Sequence, residues 1–554
     1  MKHKLKTTIF IFFLIGIAFS ANAAKVEDFM PKESILYVQL QHIDEVYGEI
    51  ETSETWQKAL ALLPDDSEEI RKAIRMAEAF LSTDLLSVLE TIGYQTALAV
   101  WLDETESPQV GFVVHSGGNL SELQRFTKIA EGAIGLTGGN TLRLDAGVYQ
   151  RVRYNVMEIN QNIAKYGFIE DFLVLGVGEW SFEKLMDTYR NGAPSIRHNE
   201  GFAGMQKKIG SGEVVIFADM EHASSLDKWI EINGLDEWRR TQFPIFQSVY
   251  VRLNLLEPGP FHQVAVRFNP KAPDFAENEI GLFLEKGEKL EVLNALSGKE
   301  DLFIAVTSNV VNGAWKIVRS EIEKNLTDDI IEGISYLEGL LNLDLEDDVM
   351  TGLTGELALS VSDLSRFDPT SFESLEINAD NSFTIDAAAV ETDGGLIFKP
   401  TNFLKWNQFT NSLSNLQNIS VSQTVYNEAT LSEFATNIYY SEASGLFLFS
   451  FSEEQMYALV DGVKKKKKPA YLKHVPENPI VFAQLNLARA LETAGEGALP
   501  ADKVIVSSEE IAPSLTWVSV EDDTVLFEIV LSVEDTPLEV LAKLIPFYVW
   551  AMEN

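Results

Sequence analysis

Histidine is the side chain in this sequence best suited to acid–base chemistry or metal binding near neutral pH. His42 and His222 each follow a predicted strand, where a turn could hold the imidazole in a site, but Leu487 stands at the position of His42 in a related segment. No two histidines have the His-x-x-x-His spacing that places both rings on one helix face. We therefore interpret them as surface or turn residues. The full set is His3, His42, His115, His198, His222, His262 and His474.

Glycine and serine patterns that support phosphate binding or acyl transfer are incomplete. Gly176-Val177-Gly178 lies between a predicted strand and a predicted helix, as a dinucleotide fingerprint would, but Ser181 stands where the third glycine is needed. The sequence has neither a Gly-x-Ser-x-Gly elbow nor a Gly-Lys-Ser/Thr phosphate loop. Without cysteine, thiol chemistry and thiolate ligands are excluded. We therefore predict no catalytic, cofactor-binding or metal-binding residues and no cofactor.

Two clusters of like charge need separate interpretations. The acidic cluster Asp344–Asp348 lacks the alternating acids and the glycine of a calcium loop, so it indicates a solvated helix N-terminus. Lys464–Lys468 is a run of five lysines before Pro469. Such a run could dock on an acidic partner or a membrane surface. Because no aromatic residue is interleaved with the lysines, we favour a solvated helix end or loop.

The N-terminus has the pattern of an export signal. Lys2, Lys4 and Lys6 precede the apolar stretch Ile9–Ser20, and Ala21-Asn22-Ala23 forms a small-x-small cleavage site. We expect cleavage before Ala24; the alternative is an uncleaved anchor, which the shortness of the apolar stretch disfavours. We predict an exported, soluble protein, periplasmic or extracellular, with no transmembrane segment in the mature chain.

Composition limits the class of protein and of partner. A hydrophobic share of 46% and a charged share of 23% over 554 residues indicate a globular chain with more than one domain. Loss of the three signal lysines takes the formal charge from −39 to −42. A polyanion of this size repels nucleic acid and anionic lipid, so we expect no nucleic-acid partner and read the charge as a means of solubility.

One short pattern recurs along the chain, an apolar strand followed by a polar turn and a helix. It occurs at Pro31–Gly48, Ser211–Ile230 and Pro476–Leu491, and more loosely at Lys299–Val311. Between these copies, pairs of alternating apolar runs separated by turn residues predict hairpins. Local hairpins interspersed with helices favour an α+β fold. We predict a mostly antiparallel or mixed sheet with helices packed on one face.

The order of elements restarts after Pro270, which indicates an internal repeat. The matched segments are separated by close to 265 residues. We predict a signal peptide at 1–23 and two tandem duplicated domains at 24–270 and 271–554. The segments pair as Gly93–Val100 with Gly355–Val361, Phe172–Leu175 with Gly445–Leu448, Val215–Ala218 with Ile480–Ala483, and His262–Phe268 with Phe527–Val533.

The C-terminal stretch Pro537–Met552 is predicted to form a helix that Pro546 kinks. Its predicted buried face consists of Leu538, Leu541, Ile545, Val549 and Met552. Because no basic face accompanies the apolar one, we expect core packing rather than membrane contact. The corresponding segment of the first half would be Phe275–Leu284.

Several short features resemble the uncharacterised bacterial exported family called domain of unknown function 3352 (DUF3352). They are the opening Met30–Val38 after a signal peptide, the step Asp344-Leu345-Glu346 after a long helix, the strand Gly355-Glu356-Leu357-Ala358, and the repeated hairpin and helix units. The first half departs from the pattern at Ser87 and Tyr94. The resemblance implies an exported protein without an assigned activity, so no functional residue can be carried over.

Three functions remain compatible with the sequence. We favour a non-enzymatic binding or envelope-associated scaffold protein, whose partner would be an unknown protein or envelope component. The alternative is a carrier of an apolar ligand such as lipid, held in a cavity between sheet and helices. The third is a hydrolytic enzyme without a recognisable motif. A pocket of converging titratable groups, an open apolar cavity or a broad apolar patch would discriminate among them.

Overall fold

The structure is a computed structural model in which the chain divides into two compact units. The first comprises the described residues of Met1–Glu51 and Asp65–Leu253, and the second those of Thr52–Pro64 and Asn254–Asn554. The structure describes residues 24–62, 72, 75–76, 78–79, 83–136, 141–159, 162–223, 245–271, 287, 289–311, 313–314, 335, 338–339, 344, 355–367, 375–377, 383–385, 393–400, 403–406, 408, 421–435, 438–465, 468–495, 497, 499–500 and 503–553.

The first unit is built on one antiparallel sheet. Its strands are β1 (Leu36–Gln41), β2 (Gln95–Leu102), β3 (Pro108–His115), β4 (Thr141–Tyr149), β5 (Val152–Ile159), β6 (Asn162–Ile169), β7 (Phe172–Val177), β8 (Val214–Asp219) and β9 (Phe246–Leu253). They lie in the order β9-β8-β1-β2-β3-β7-β6-β5-β4, and every described pairing is antiparallel. The predicted antiparallel α+β class is thus confirmed for this part of the chain.

The central strand β1 has one fully buried face and one half-covered face. Tyr37 and Gln39 lie on the buried face, where the Tyr37 hydroxyl donates to the Gln39 amide oxygen at 2.6 Å. Leu36, Val38 and Leu40 lie on the other face, and Leu40 keeps 39% of its surface exposed. Pairing with β2 on one side and β8 on the other makes this strand central. Its polar Gln39 is nevertheless better buried than its leucines, because a partner satisfies the amide.

Helices lie on both faces of the first sheet, which corrects the expectation of helices on one face. Those of this unit are α1 (Ile43–Thr52), α3 (Leu85–Ile92), α4 (Leu120–Leu136), α5 (Ser181–Arg190), α6 (Glu200–Ile209) and α7 (Met220–Ala223). Lys165 of β6 pairs with Glu183 of α5, whereas the adjacent Tyr166 donates to Glu131 of α4. Neighbouring side chains of a strand point to opposite faces, so α4 and α5 lie on opposite faces.

The second unit contains a longer antiparallel sheet. Its strands are β10 (Pro260–Phe268), β11 (Leu302–Val306), β12 (Leu357–Val361), β15 (Gly395–Phe398), β16 (Ser422–Tyr426), β17 (Ala429–Ala435), β18 (Ile438–Ala443), β19 (Leu446–Ser450), β20 (Pro479–Leu485), β21 (Ser514–Glu521) and β22 (Thr524–Val530). Their order is β10-β22-β21-β20-β11-β12-β15-β19-β18-β17-β16. A separate pair is formed by β13 (Leu375–Ile377) and β14 (Phe383–Ile385).

The helices of the second unit cover its core. They are α2 (Glu54–Leu62), α8 (Glu453–Lys464), α9 (Leu487–Ala494) and α10 (Pro537–Glu553). The α8 residues Met456, Leu459 and Val460 pack on buried residues of β11, β15 and β20. Thr55 of α2 donates to Glu539 of α10 at 2.9 Å.

The strands of the two units follow one order. Reading outward from the central strand, β1-β2-β3-β7-β6-β5-β4 corresponds to β11-β12-β15-β19-β18-β17-β16, and β8-β9 corresponds to β20-β21. The strand registers define which residues of the two units are equivalent. Leu36 pairs with Val100 in the first unit and Leu302 pairs with Val361 in the second, so Leu36 is equivalent to Leu302 and Val100 to Val361.

A glycine in the third strand of each unit makes room for a leucine from the following helix. A Cβ on Gly111 would lie 2.8 Å from Leu185 Cδ2 of α5, and one on Gly395 would lie 2.8 Å from Leu459 Cδ1 of α8. Both distances are shorter than van der Waals contact, so each helix can approach its sheet closely only where the side chain is absent.

In each unit a hairpin turn is hydrogen-bonded to the equivalent helix, α5 in the first and α8 in the second. The hydroxyl of Tyr149 donates to Asp187 of α5 at 2.9 Å, and Gln150 also donates to this carboxylate. In the second unit the hydroxyl of Tyr426 donates to Asp461 of α8 at 2.9 Å, and Asn427 donates to it at 3.1 Å. Both turns continue through residues of positive φ, Gln150-Arg151 and Asn427-Glu428.

The observed units differ from the predicted domains at their boundary. Strand β10, which is predicted to close the first half, lies in the second unit and pairs in register with Thr524–Val530. Helix α2 also joins the second unit, because it packs on α10.

Two of the sequence matches are out of register. The pairings place Leu175 with Phe449 and Phe217 with Gln484, one and two residues away from the matches made by sequence. Short apolar runs give no register, since any alternating run matches another after a slip of two residues.

The C-terminal helix is confirmed at Pro537–Glu553, and its predicted buried face is confirmed in part, since Leu538 and Val549 are buried but Leu541 and Ile545 are only half-buried. Val540, Leu544 and Phe547 are buried in a cluster with Leu531. Met552, predicted to be buried, is 71% exposed. The predicted counterpart Phe275–Leu284 lies outside the described residues.

We expect Gly111→Ala to lower the free energy of unfolding by about 1–3 kcal/mol, because the new methyl group overlaps Leu185 and the Trp101 ring. Gly204→Ala in α6 is the matched control, since nothing lies within 4 Å of its Cβ position. It should stabilise the helix by up to about 1 kcal/mol. Chemical denaturation of both variants checks this, and equal unfolding midpoints would contradict the close approach of α5.

Candidate functional site

Among the described residues, the histidines do not converge on a site, and His3 lies outside those residues. His42 follows β1 with a φ of 56° and contacts Glu45 at 2.8 Å. His222 contacts Asp219 at 2.9 Å at the start of α7. In the part of the chain that the structure describes, no group of three or more histidines or acids is placed to hold a metal ion.

The glycine pair Gly176 and Gly178 has a structural explanation. A Cβ on Gly176 would overlap the backbone of Phe182 at the start of α5, and Gly178 has a φ of 121°. These glycines therefore allow a tight strand-to-helix connection. Of the acidic cluster Asp344–Asp348, only Asp344 lies within the described residues.

The lysine run is tied to the protein more closely than a solvated loop. Lys465 Nζ donates to the Ser297 carbonyl at 2.7 Å, and Lys468 Nζ donates to the Gly462 carbonyl at 3.0 Å. Burial lowers the pKa of Lys468, and the neighbouring Lys465 lowers it further. Lys465 is exposed, as a solvated helix end predicts, whereas Lys468 is partly buried; both satisfy carbonyl groups near the end of α8.

Two adjoining cavities in the second unit form the candidate site. Their volumes are about 1150 and 680 Å³, and both are lined by Lys299, Ser362 and Asp363. We call their combined lining the polar groove. Its charged residues are the acids Glu300, Asp301, Asp363, Asp393, Glu454, Asp461, Glu492 and Glu509 and the bases Lys299, Arg366, Lys464, Lys465 and Arg489.

Antiparallel pairing assembles the first cavity at one end of the central strand. Strand β11 pairs antiparallel with β12 on one side and with β20 on the other, so its beginning meets the ends of both neighbours. Asp301 precedes β11, Ser362 and Asp363 follow β12, and Asn486 follows β20. Residues far apart in sequence therefore line one cavity.

Buried Glu300 fixes the loop in front of β11. Its carboxylate accepts hydrogen bonds from the backbone N–H groups of Ser297 and Gly298 at 2.7 Å and of Lys299 at 3.0 Å. The side chain of Gln484 donates to the Glu300 carbonyl at 2.9 Å. These bonds satisfy Glu300, so it holds the wall of the groove rather than offering a charge to a ligand.

Asp301 is a partly buried carboxylate of the groove and Asp393 a buried one. Burial raises the pKa of Asp301, although the Leu364 N–H donates to it at 3.1 Å and the Arg489 charge opposes the shift. Burial also raises the pKa of Asp393, against a hydrogen bond from the Ser452 hydroxyl at 3.1 Å and the charge of Arg366. Each carboxylate would be stabilised by a further cation or donor.

Arg489 lies at the start of α9, where Asn486 caps the helix by accepting from the Arg489 N–H at 3.2 Å. Its guanidinium group donates to Glu492 and to Glu509, both at 3.4 Å. The strongest cation of the first cavity is therefore already shared between two protein carboxylates. Acids outnumber bases in the whole groove, which favours a ligand that donates hydrogen bonds or carries positive charge.

Four positions of the groove carry apolar residues in the first unit. The Asp219 N–H donates to the Ile35 carbonyl at 2.8 Å, as the Asn486 N–H donates to the Asp301 carbonyl at 2.7 Å, which makes Ile35 the counterpart of Asp301. The registers give the remaining counterparts. By these registers Trp101 is equivalent to Ser362, Leu102 to Asp363, and Phe217 to Gln484.

Comparison of this chain with protein-family models, with curated proteins and with solved structures finds no match in any of the three. The resemblance to domain of unknown function 3352 stays a prediction. Among the described residues, no helix is both long enough and apolar enough to cross a membrane.

Sequence reasoning did not find Asp301, Asp363 or Arg489. A signal was present, since Lys299–Val311 was recognised as a copy of the segment at Pro31, and an aspartate stands in it where the first copy has Ile35. Asp363 and Arg489 come from other parts of the chain, and only the sheet brings them to the same cavity.

We expect the stability of the Asp301→Asn variant relative to wild type to increase as the pH rises from 3 to 7. The folded pKa of Asp301 is raised from 3.8, so its contribution to stability is present at acid pH and is lost as the pH rises through the folded value. Asp523→Asn is the control of opposite sign. Although burial raises the pKa of Asp523, its ion pair with Arg267 at 2.8 Å lowers it overall, so this variant should lose stability relative to wild type over the same range. Denaturation at both pH values measures the two differences, and the same sign for both would contradict the burial of Asp301.

Proposed function

We propose that this chain is an exported, non-enzymatic binding protein whose ligand site is the polar groove of the second unit. The single observation that carries the proposal is the replacement of Ile35, Trp101, Leu102 and Phe217 of the first unit by polar or charged residues at the same register positions. Exchanging packed apolar side chains for charged ones opposes stability, so a site is a physical reason for the exchange.

The ligand class follows from the lining of the groove. Eight acids face five bases, and Arg489 is already shared between Glu492 and Glu509. The cavity offers Asp301 and Asp363 as acceptors, and amides and hydroxyls from Asn486 and Thr493. We infer a small polar ligand that bears an amine.

The two units are proposed to be tandem copies of one ancestral domain. Their common strand order, the glycine that admits a helix leucine, and the hairpin turn held by a tyrosine and an aspartate support this origin. A further parallel is the N–H of Val26 donating to the Gln95 side chain, as that of Val292 donates to Glu356. Unrelated sheets share such details rarely, because none of them is required by strand pairing alone.

A lipid carrier is the second candidate, and one observation favours it. Val38, Leu98, Phe112, Leu175 and Ile216 lie opposite one another on the same face of the first sheet, and all are only half-buried. A continuous apolar face of this kind suits an acyl chain as well as a protein partner.

We expect an amine ligand such as spermidine to bind the mature chain at low ionic strength, and the double variant Asp301→Asn/Asp363→Asn to bind it about tenfold more weakly, since two acceptors are lost. The matched control is Glu442→Gln/Asp522→Asn, which removes two exposed carboxylates of the same unit outside the groove. Isothermal titration calorimetry measures the affinities.

Equal weakening in both double variants would indicate attraction to the overall charge and would contradict a site in the groove. Binding of a neutral trisaccharide in place of spermidine would overturn the ligand class. The variant Asp301→Ile/Asp363→Leu, which carries side chains found at the same positions of the first unit, should abolish binding while the unit remains folded.

Export and lipid carriage are tested on one sample. We expect the protein purified from the extracytoplasmic fraction to have a mass that begins at Ala24, as the small-x-small site at Ala21-Asn22-Ala23 directs. Solvent extraction followed by mass spectrometry then detects any bound lipid. A retained N-terminus would contradict cleavage, and a preparation free of lipid would contradict the carrier.

A further inference from the structure

A second cavity, of about 530 Å³, lies in the first unit and is lined by arginines. It is formed by the turn between β4 and β5, the turn between β6 and β7, and the end of α5. We call it the arginine cavity. Its charged and amide-bearing residues are Asp145, Arg151, Arg153, Asn155, Glu170 and Arg190.

The hairpin turn holds two of these arginines in place. Arg151 has a φ of 68° and follows Gln150, which is bonded together with Tyr149 to Asp187 of α5. Arg190 lies in the last turn of the same helix. Asp187 therefore holds the turn that carries Arg151 close to the end of the helix that carries Arg190.

The second unit has an ion pair in the equivalent place. Its positions corresponding to Arg151 and Arg190 are Glu428, which follows Asn427 in the turn, and Lys464, which ends α8. These two side chains form an ion pair at 3.9 Å. The first unit thus replaces an opposite-charge pair by two cations at the same two positions.

Like charges at these positions are unfavourable unless an anion lies between them. Within the described residues, no carboxylate forms an ion pair with Arg151 or Arg190. Arg153 is 3.6 Å from Asp145, and Glu170 accepts a hydrogen bond from Tyr189 at 2.8 Å, so the two acids of the cavity are already engaged. Solvated surface arginines are the ordinary alternative, but they do not explain why the acidic partner has been exchanged in a chain of formal charge −39.

We propose that the arginine cavity binds a small free ligand that carries a phosphate group. Guanidinium groups present paired N–H donors that match a phosphate, and charge-assisted bonds of this type are among the strongest available. The volume falls in the range of small-molecule sites and exceeds what one phosphate ion fills. The large negative charge of the chain opposes approach to an anionic membrane, which favours a free ligand over a lipid headgroup.

The test uses glucose 6-phosphate and inorganic phosphate as probes, with calorimetry at low ionic strength on the full mature chain. Wild type should bind glucose 6-phosphate, and Arg151→Glu should weaken the binding at least about tenfold, since it recreates the charge pair of the second unit. Arg143→Glu makes the same charge change in β4, where Arg143 pairs with Glu158 outside the cavity, and should change the affinity less than about twofold.

Arg151→Glu should fold, because glutamate occupies the same positive-φ position in the second unit as Glu428. Unfolding midpoints of both variants check this, and Arg190→Gln provides a second route to the same loss of binding. Equal affinities in Arg151→Glu and Arg143→Glu, or no binding of either phosphate probe, would overturn the proposal. Binding to phosphatidylglycerol vesicles but not to phosphatidylcholine vesicles or free phosphates would replace the free ligand by a membrane surface.

Discussion

The antiparallel pairing of one central strand with neighbours on both sides is the constraint on which each unit depends. Strand β1 pairs with β2 and β8, which lie far apart in sequence, and β11 pairs in the same way with β12 and β20. This closure fixes the register of the sheet and brings three chain segments together at one end of the central strand. The polar groove exists because those segments meet there, and it requires no change in the backbone plan.

The parts shared by the two units are those that geometry requires. Gly111 and Gly395 admit a leucine from the helix above, and the carboxylates of Asp187 and Asp461 hold the hairpin turn. A change at these positions would displace a helix or a turn. Strand ends and turn tips are different, because solvent reaches them and the ladder bonds persist whatever side chain is present. The differences at Asp301 and Arg151 lie at such positions.

The sequence was sufficient for the class of fold and for most of the elements. Alternating runs predict strands at Thr96–Leu102 and Gln109–His115, within one residue of β2 and β3. Helical periodicity predicts helices at Leu120–Ile134 and Trp180–Tyr189, within two residues of α4 and α5. It was insufficient for register and for faces. Apolar periodicity in the C-terminal helix was compatible with several buried faces, and only the partners of Phe547 decided among them. The buried Gln39 shows the same limit, since its burial depends on a hydrogen bond with Tyr37.

The polar groove could not be predicted from the sequence, for a related reason. No motif marks Asp301, because a carboxylate before a strand is common, and its pKa is raised by burial and by the nearby charges of Asp363 and Glu492, which only the fold creates. What identifies it is contrast with Ile35 on the same scaffold. The same comparison at the hairpin turn sets Arg151 of the first unit against Glu428 of the second. Here the first unit carries a positive charge and the second a negative one. The ends of the strands therefore tolerate either charge, because the backbone hydrogen bonds of the sheet and the side-chain bonds that hold the hairpin turn do not depend on these residues.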